Sequence, residues 1–243
     1  GARDLRRAVD TCTFSITSGK VSAVSFCSYP DAVFVKRIRS AKPRDYRLGF
    51  DSPVKGAVSV SGRELFFDGV CPAWTRQTRS ATYETADGLT GIAFRVAVRA
   101  VAPGAVCRAA DGRLAIDGAK YLLLLVAIRS NFKDCDTNPE ASGIDFRAQC
   151  AADLDAAESK GFDALLTAHV EDVGTFYDRS RLTLDAPPAE AGIPTGELIE
   201  GSPAKKHAPP TLIALLYNFG RYLTIASSRP GTRATNLQGI WNN

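Results

Sequence analysis

The sequence predicts a mainly β protein with a helical tail. An antiparallel β-sandwich is expected over residues 1–130, a helical linker over 131–185, and a Pro/Gly-rich loop leading into a core helix over 186–243. Three observations predict it. Runs rich in Val, Ile, Phe and Thr follow one another at short spacing as far as residue 128, separated by Gly, Pro, Asp and Ser. The apolar period then lengthens after Asp145 from alternation to a helical spacing. The last run, residues 211–227, is apolar on nearly every side.

Taken in order, strands are expected over residues 9–17, 21–29, 32–40, 54–61, 91–101 and 114–128. Ser18-Gly19, Pro30-Asp31, Pro103-Gly104 and Asp111-Gly112 break the chain between them. Alternation is clearest in Phe94-Arg95-Val96-Ala97-Val98-Arg99, with one apolar face and the arginines turned away from it. A parallel sheet needs long helices between its strands, and these are missing, so the sheets are read as an antiparallel sandwich. Between Asp145 and Arg179 a helical pattern runs with a break at Gly161. Phe162, Leu165, Leu166, His169, Val173 and Phe176 share one helical face. Prolines at 187, 188, 194, 203, 209 and 210 mark residues 186–210 as a long surface loop or linker. Leu212, Ile213, Leu215, Leu216, Tyr217, Phe219, Tyr222, Leu223 and Ile225 leave the final helix little polar face. Nothing after residue 228 is large enough to cover it, so a partner domain beyond Asn243 is expected.

Composition narrows the class. Of 243 residues, 45% are apolar and 23% charged, the proportions of a globular protein, not of a disordered or collagen-like chain. The net charge of +4 is too mild to argue for nucleic acid. No run of 18 uncharged apolar residues occurs, which excludes an ordinary transmembrane helix, and no basic stretch followed by an apolar run marks a signal peptide. The absence of Met points to a piece of something longer. The remainder of that polypeptide, or a co-purifying fragment of it, is therefore an expected partner.

Cysteines sit at 12, 27, 71, 107, 135 and 150 without a C-x-x-C pair, and only His169 and His207 are available to supplement them as zinc ligands. Disulfides in an oxidising, secreted or lumenal compartment are the favoured reading; six buried thiols are the alternative. A two-residue turn at Gly19-Lys20 would set Cys12 opposite Cys27, as a hydrogen-bonded pair, the wider of the two kinds. Cys135 and Cys150 are a second pairing, closing a local loop.

Little here carries chemistry by itself. His169 sits on an apolar helical face, as a packing residue would, and His207 follows Lys205-Lys206 in the Pro-rich stretch. No glycine-rich nucleotide signature occurs and no cofactor is implied. The basic run Lys36, Arg37, Arg39, Lys42, Arg44 and Arg47 has few aromatics interleaved, which favours a solvated strand end and turn over a nucleic-acid surface. Asp153, Asp155 and Glu158 read as the exposed face of a helix. Glu171 and Asp172 flank the apolar stripe, while Glu197 and Glu200 lie in the loop. None has the apolar framing that raises a carboxyl pKa for acid catalysis.

The run from Leu216 to Thr232, read LYNFGRYLTIASSRPGT, continues into Asn236-Leu237-Gln238-Gly239-Ile240-Trp241-Asn242. It closely resembles the start of the catalytic domain in glycoside hydrolase family 95, the α-L-fucosidases and related α-L-galactosidases. Ala168-His169-Val170-Glu171-Asp172, Phe176-Tyr177-Asp178-Arg179 and Leu182-Thr183-Leu184-Asp185 are similar to that family's linker and exit strand. Ser28-Tyr29-Pro30-Asp31 with Val33-Phe34-Val35 resembles a hairpin of its β-domain. The resemblance implies a supersandwich-like β-domain, a helical linker and the first helix of an (α/α)6 barrel. It also implies an inverting exo-glycosidase acting on terminal α-L-fucosyl or α-L-galactosyl residues of a glycan substrate. The family's general-acid Glu, and the Asp that activates water through an Asn-x-Asn pair, fall downstream of this motif, so no catalytic residue carries over.

Asn236, Gln238, Trp241 and Asn242 are the residues expected to shape the sugar site. Amides serve hydroxyls as donor and acceptor, and an indole offers an apolar face to a sugar ring. The competing reading makes the same motif a buried structural turn. Around Pro194-Thr195-Gly196-Glu197-Leu198 the family more often reads P-T-D-E-R-L, and the β-region begins as if mid-domain. These departures leave an inactive homologue, structural or carbohydrate-binding, as the rival class.

Overall fold

The computed structural model describes residues 1–16, 19–75, 80–83, 91–187, 190, 192–201, 208–232 and 234–235. In chain order the strands are β1 (Ala2–Asp4), β2 (Val9–Ile16), β3 (Gly19–Ser28), β4 (Val33–Leu48), β5 (Gly56–Ser61), β6 (Glu64–Val70), β7 (Ala73–Thr75), β8 (Ser80–Thr82), β9 (Ala93–Val101), β10 (Val106–Ala110) and β11 (Arg113–Ser130). Helices α1 (Phe146–Lys160), α2 (Phe162–Tyr177), α3 (Thr195–Glu200) and α4 (Pro210–Ser227) follow. The chain divides into two compact units: Gly1–Ala2 with Asp10–His169, and Arg3–Val9 with Val170–Asn243.

The strand-rich unit is an antiparallel sheet of order β2-β3-β4-β11-β9-β6-β5, with β10 paired to the first half of β11 and β7 paired to β8 apart from it. β5 lies three strands from β11, roughly 14 Å across a flat sheet at the usual strand spacing. Yet Val60 of β5 and Leu65 of β6 pack in one core with Leu114, Ile116 and Ala119 of β11 and with Tyr46 and Leu48 of β4. The sheet therefore folds over itself. The bend falls where the β4–β11 register shifts, on either side of Ala119. Gly118 beside it takes a φ of +80°, and its N–H donates to Asp45 Oδ1 at 2.8 Å. The expected sandwich is thus one continuous sheet whose long strands, β4 and β11, serve both layers.

The apolar run of β11 is buried on both faces, Leu122 to Leu125 in unbroken succession, as a central strand covered from two sides requires. One cover is the folded sheet. The other is α1, which Asp145 caps by accepting from the Ala148 N–H and which Gly161, at a φ of +76°, ends. Phe146, Cys150, Leu154 and Ala157 recur on its buried face. Glycine is needed where β5 meets β6. Gly56 and Gly69 stand opposite each other, and a Cβ on Gly69 would lie 2.5 Å from Cζ of Phe94.

Three sequence expectations change here. First, β2 and β3 pair with Cys12 opposite Ala23, while Cys27 lies opposite Phe34 of β4, so the proposed Cys12–Cys27 pair does not form. The hairpin turns earlier than expected, bringing Gly19 against Ile16. No disulfide joins any of the six cysteines, Cys135 and Cys150 included.

Second, Asp153, Asp155 and Glu158 are not an idle exposed face. Arg95, Arg99 and Arg129 turn away from the apolar core, as alternation predicts, but the face they enter lies against α1. Arg129 grips Asp153 at 2.6 Å. Arg99, only 8% exposed, reaches Glu64, Asp155 and Glu158 at 2.6, 2.7 and 3.1 Å. Burial works against the Arg99 charge, but its bonds to Asp155 and Glu64 outweigh it and raise the pKa.

Third, the basic run forms part of β4 itself, not a strand end and turn. Arg37 stacks 3.6 Å over the Phe162 ring, and burial and then Arg39 lower its pKa. Arg44 donates to Ser40 and Arg47 to Asp117.

Candidate functional site

The four residues chosen for the sugar site, Asn236, Gln238, Trp241 and Asn242, lie outside the described residues, as does His207. The described part of the same sequence run is α4 and the turn after it. Two prolines start α4: Pro209 at its cap and Pro210 in its first turn, where a missing N–H costs nothing. Side chains on α4 fasten the end of α2. Arg221 donates from Nη2 to the carbonyls of Phe176 and Tyr177 at 2.8 and 3.3 Å, placing a cation at the negative end of a helix dipole. Asn218 brackets Leu182, its Nδ2 donating to the carbonyl at 2.9 Å and its Oδ1 accepting from the N–H at 3.4 Å. Tyr217 and Ser180 share a hydroxyl hydrogen bond of 2.8 Å. Arg6 closes the same end of α2 by a two-point contact with Asp178, whose carboxyl its hydrogen bond holds below the usual range.

Beyond α4 the chain makes a tight turn. The Thr232 N–H donates to the Arg229 carbonyl at 3.0 Å, with Pro230 and Gly231 between them and Gly231 at a φ of +84°. That is the sequence and geometry of a type II turn. The Thr232 hydroxyl tightens it twice, accepting from the Arg229 N–H at 2.9 Å and donating to the Arg229 carbonyl at 2.8 Å. Ser227 and Thr235 share a hydroxyl contact of 2.8 Å across its base. The Arg229 side chain then carries the turn onto α2, with Nη2 2.5 Å from Asp172 Oδ2, Nη1 3.4 Å from Oδ1, and the guanidinium 4.7 Å from the centre of the Phe176 ring.

Sequence reasoning missed this pairing. Asp172 was visible only as a carboxylate beside an apolar stripe, and the pair spans 57 residues. The other candidates fall into place without chemistry. His169, 2% exposed, stacks 4.8 Å from the Phe26 ring and is a packing residue. Glu171, Glu197 and Glu200 are exposed. Among the described residues no group of His, Cys, Asp and Glu is placed to hold a metal ion, and no helix is long and apolar enough to cross a membrane. Among the described residues of the helix none is fully buried, and Leu216 is 73% exposed.

Comparison with known proteins gives two matches along the chain. Residues 3–135 match the glycosyl hydrolase family 65 N-terminal domain, more than half of the chain, and residues 161–243 match the glycosyl hydrolase family 95 catalytic domain. The chain is 29% identical over 258 residues to "Alpha-L-fucosidase 2" of Arabidopsis thaliana, covering 98% of this chain and 30% of that protein. It is likewise 29% identical over 251 residues to "Probable alpha-fucosidase A" of Aspergillus niger, covering 98% and 29%. The chain thus spans about a third or less of the curated relatives it matches. A solved structure titled "Putative kojibiose phosphorylase from human microbiome" aligns with a TM-score of 0.45 at 14% identity, over 72% of this chain and 22% of that one, too slight a likeness to argue from.

Proposed function

Because the chain belongs to glycoside hydrolase family 95, we propose that the protein hydrolyses terminal α-L-fucosyl, or α-L-galactosyl, residues of glycans with inversion at the anomeric carbon. The observation that carries this reading is the match of residues 161–243 to the family's catalytic domain. It runs through α4 and the Arg229–Thr232 turn to the Asn236…Asn242 motif. The two fucosidase relatives support the fucosyl assignment over other sugars. On this proposal the general acid and base are supplied by catalytic-domain sequence outside residues 1–243. The chain's own part is to build the near side of the sugar site with Asn236, Gln238, Trp241 and Asn242. The division into a β-domain over 1–130, a linker over 131–185 and the catalytic start over 186–243 belongs to the same proposal. So does a secreted or lumenal location, which the unpaired cysteines do not support; fractionation of the producing cells tests it, and recovery of the protein only inside them would remove it.

A second reading keeps the fold without the reaction. Its support is local: in the segment that departs from the family pattern, Leu198 is a buried residue of α3, where the family more often carries Arg. One experiment separates the two. The protein carrying the complete catalytic domain is given an aryl α-L-fucoside, and the sugar released is followed by proton NMR. The β-anomer of L-fucose appearing first is the inverting outcome. No release, with the sugar still bound, leaves the binding reading.

A further inference from the structure

The turn after α4 is built more firmly than a connection needs to be. Its backbone is fixed by Pro230 and by Gly231 at positive φ, and Thr232 closes it with three hydrogen bonds to Arg229. A turn so determined moves as one body, and the Arg229 side chain attaches that body to α2. The guanidinium is 7% exposed. It meets Asp172 with two nitrogens and Phe176 with its face, and these two residues lie four apart on one helix and so present a single grip. Four residues after Thr232 the sequence enters the motif that begins at Asn236.

We propose that Arg229 and Asp172 are positioning residues: their part-buried pair, backed by Phe176, pins the Pro230-Gly231 turn to α2 and sets where the chain enters the sugar-shaping motif. This rests on the glycosidase reading above and deepens it. Neither residue touches the sugar in this account. The clamp acts through the chain that follows, and small displacements of a binding segment weaken sugar contacts made in both the ground state and the transition state.

The test uses the protein with its complete catalytic domain and two variants. Arg229→Lys keeps the charge but loses the planar two-nitrogen fork, and Asp172→Asn keeps size and one acceptor but loses the charge. If Arg229→Lys does not fold, the milder Asp172→Asn decides. Hydrogen exchange is expected to quicken at least tenfold in peptides covering residues 227–235, with peptides from β9 and β11 unchanged. On an aryl α-L-fucoside, KM is expected to rise at least fivefold with kcat within threefold of the parent. A purely structural loss would do the reverse, lowering the active fraction and so kcat while leaving KM alone. Unchanged exchange over 227–235, or an unchanged KM, overturns the proposal. An inactive parent overturns the glycosidase reading instead, and the clamp is then judged by exchange.

Discussion

The two units differ in how their apolar surface is closed. In the strand-rich unit Leu114, Ile116, Leu122 and Leu125 are fully buried, covered on one side by the folded sheet and on the other by α1. In the other unit α4 is rich in apolar residues, yet none of them is fully buried, and Ile213, Leu216, Tyr217 and Phe219 are all at least a third exposed. The β unit also exposes single residues such as Val106 and Ile128, but isolated apolar side chains are ordinary on a surface, whereas a contiguous helical face is not. The first unit is closed by its own sequence. The second is tied along the end of α2 by the polar contacts of Arg221, Asn218 and Arg229, while much of the apolar surface of α4 is exposed.

The largest effect that sharpens this contrast comes from one substitution in each unit. Leu125→Ala, deep in β11, should destabilise by about 3 kcal/mol, from lost burial and the cavity left behind. Leu216→Ala, 73% exposed on α4, should change stability by no more than about 0.5 kcal/mol. Denaturant melts of residues 1–243 give both values. Equal losses would break the comparison, because they would mean that the α4 face is covered in solution.

A smaller effect separates the charges. Arg99 serves three carboxylates from a buried position, so Arg99→Met leaves Glu64 and Glu158 half-buried without it. Complete removal of one partner from a fully buried pair costs more, but these carboxylates keep some water, so a loss of about 2 kcal/mol is expected. Arg6→Met, on the exposed Asp178 contact of the other unit, should leave the denaturation midpoint unmoved. If both variants behave alike, the burial of the Arg99 cluster is not what stabilises α1 on the sheet.

Legibility in the sequence follows the same division. The long apolar run of β11 and the switch of period at Asp145 were readable because burial on both faces and helical amphipathicity each leave a pattern. β6 was not. Its Asp68-Gly69 reads as a turn, but in the fold Asp68 is held by Arg95 and Gly69 makes room for the Phe94 ring, both contacts with residues some 25 positions away. The six residues of α3 are too few to show a period inside a Pro/Gly-rich stretch. The register of β2 on β3 was not legible either: local turn residues suggest one hairpin, and the strands pair four positions away from it, with Cys12 opposite Ala23. At the candidate site the motif from Leu216 onward was legible as a pattern, while the grip of Arg229 on Asp172 was not, because nothing near either residue announces a partner 57 positions distant.

The smallest effect concerns acid, and it again belongs to the strand-rich unit. The Arg95 hydrogen bond holds the Asp68 carboxyl below the usual range, and the Arg63 hydrogen bond does the same for Glu158. A carboxyl whose pKa is depressed by folding contributes stability that is fully present above its unfolded pKa, near 4, and is lost as the pH falls through the folded value. The denaturation midpoint should therefore be flat between about pH 6 and 8 and fall below about pH 4. Asp68→Asn mimics the protonated carboxyl, so the variant should be less stable than the parent at neutral pH and converge with it as the pH drops. A gap between the two that stays constant from neutral pH to about pH 3 would show that Asp68 titrates as if unfolded, and that Arg95 holds it by shape and not by charge.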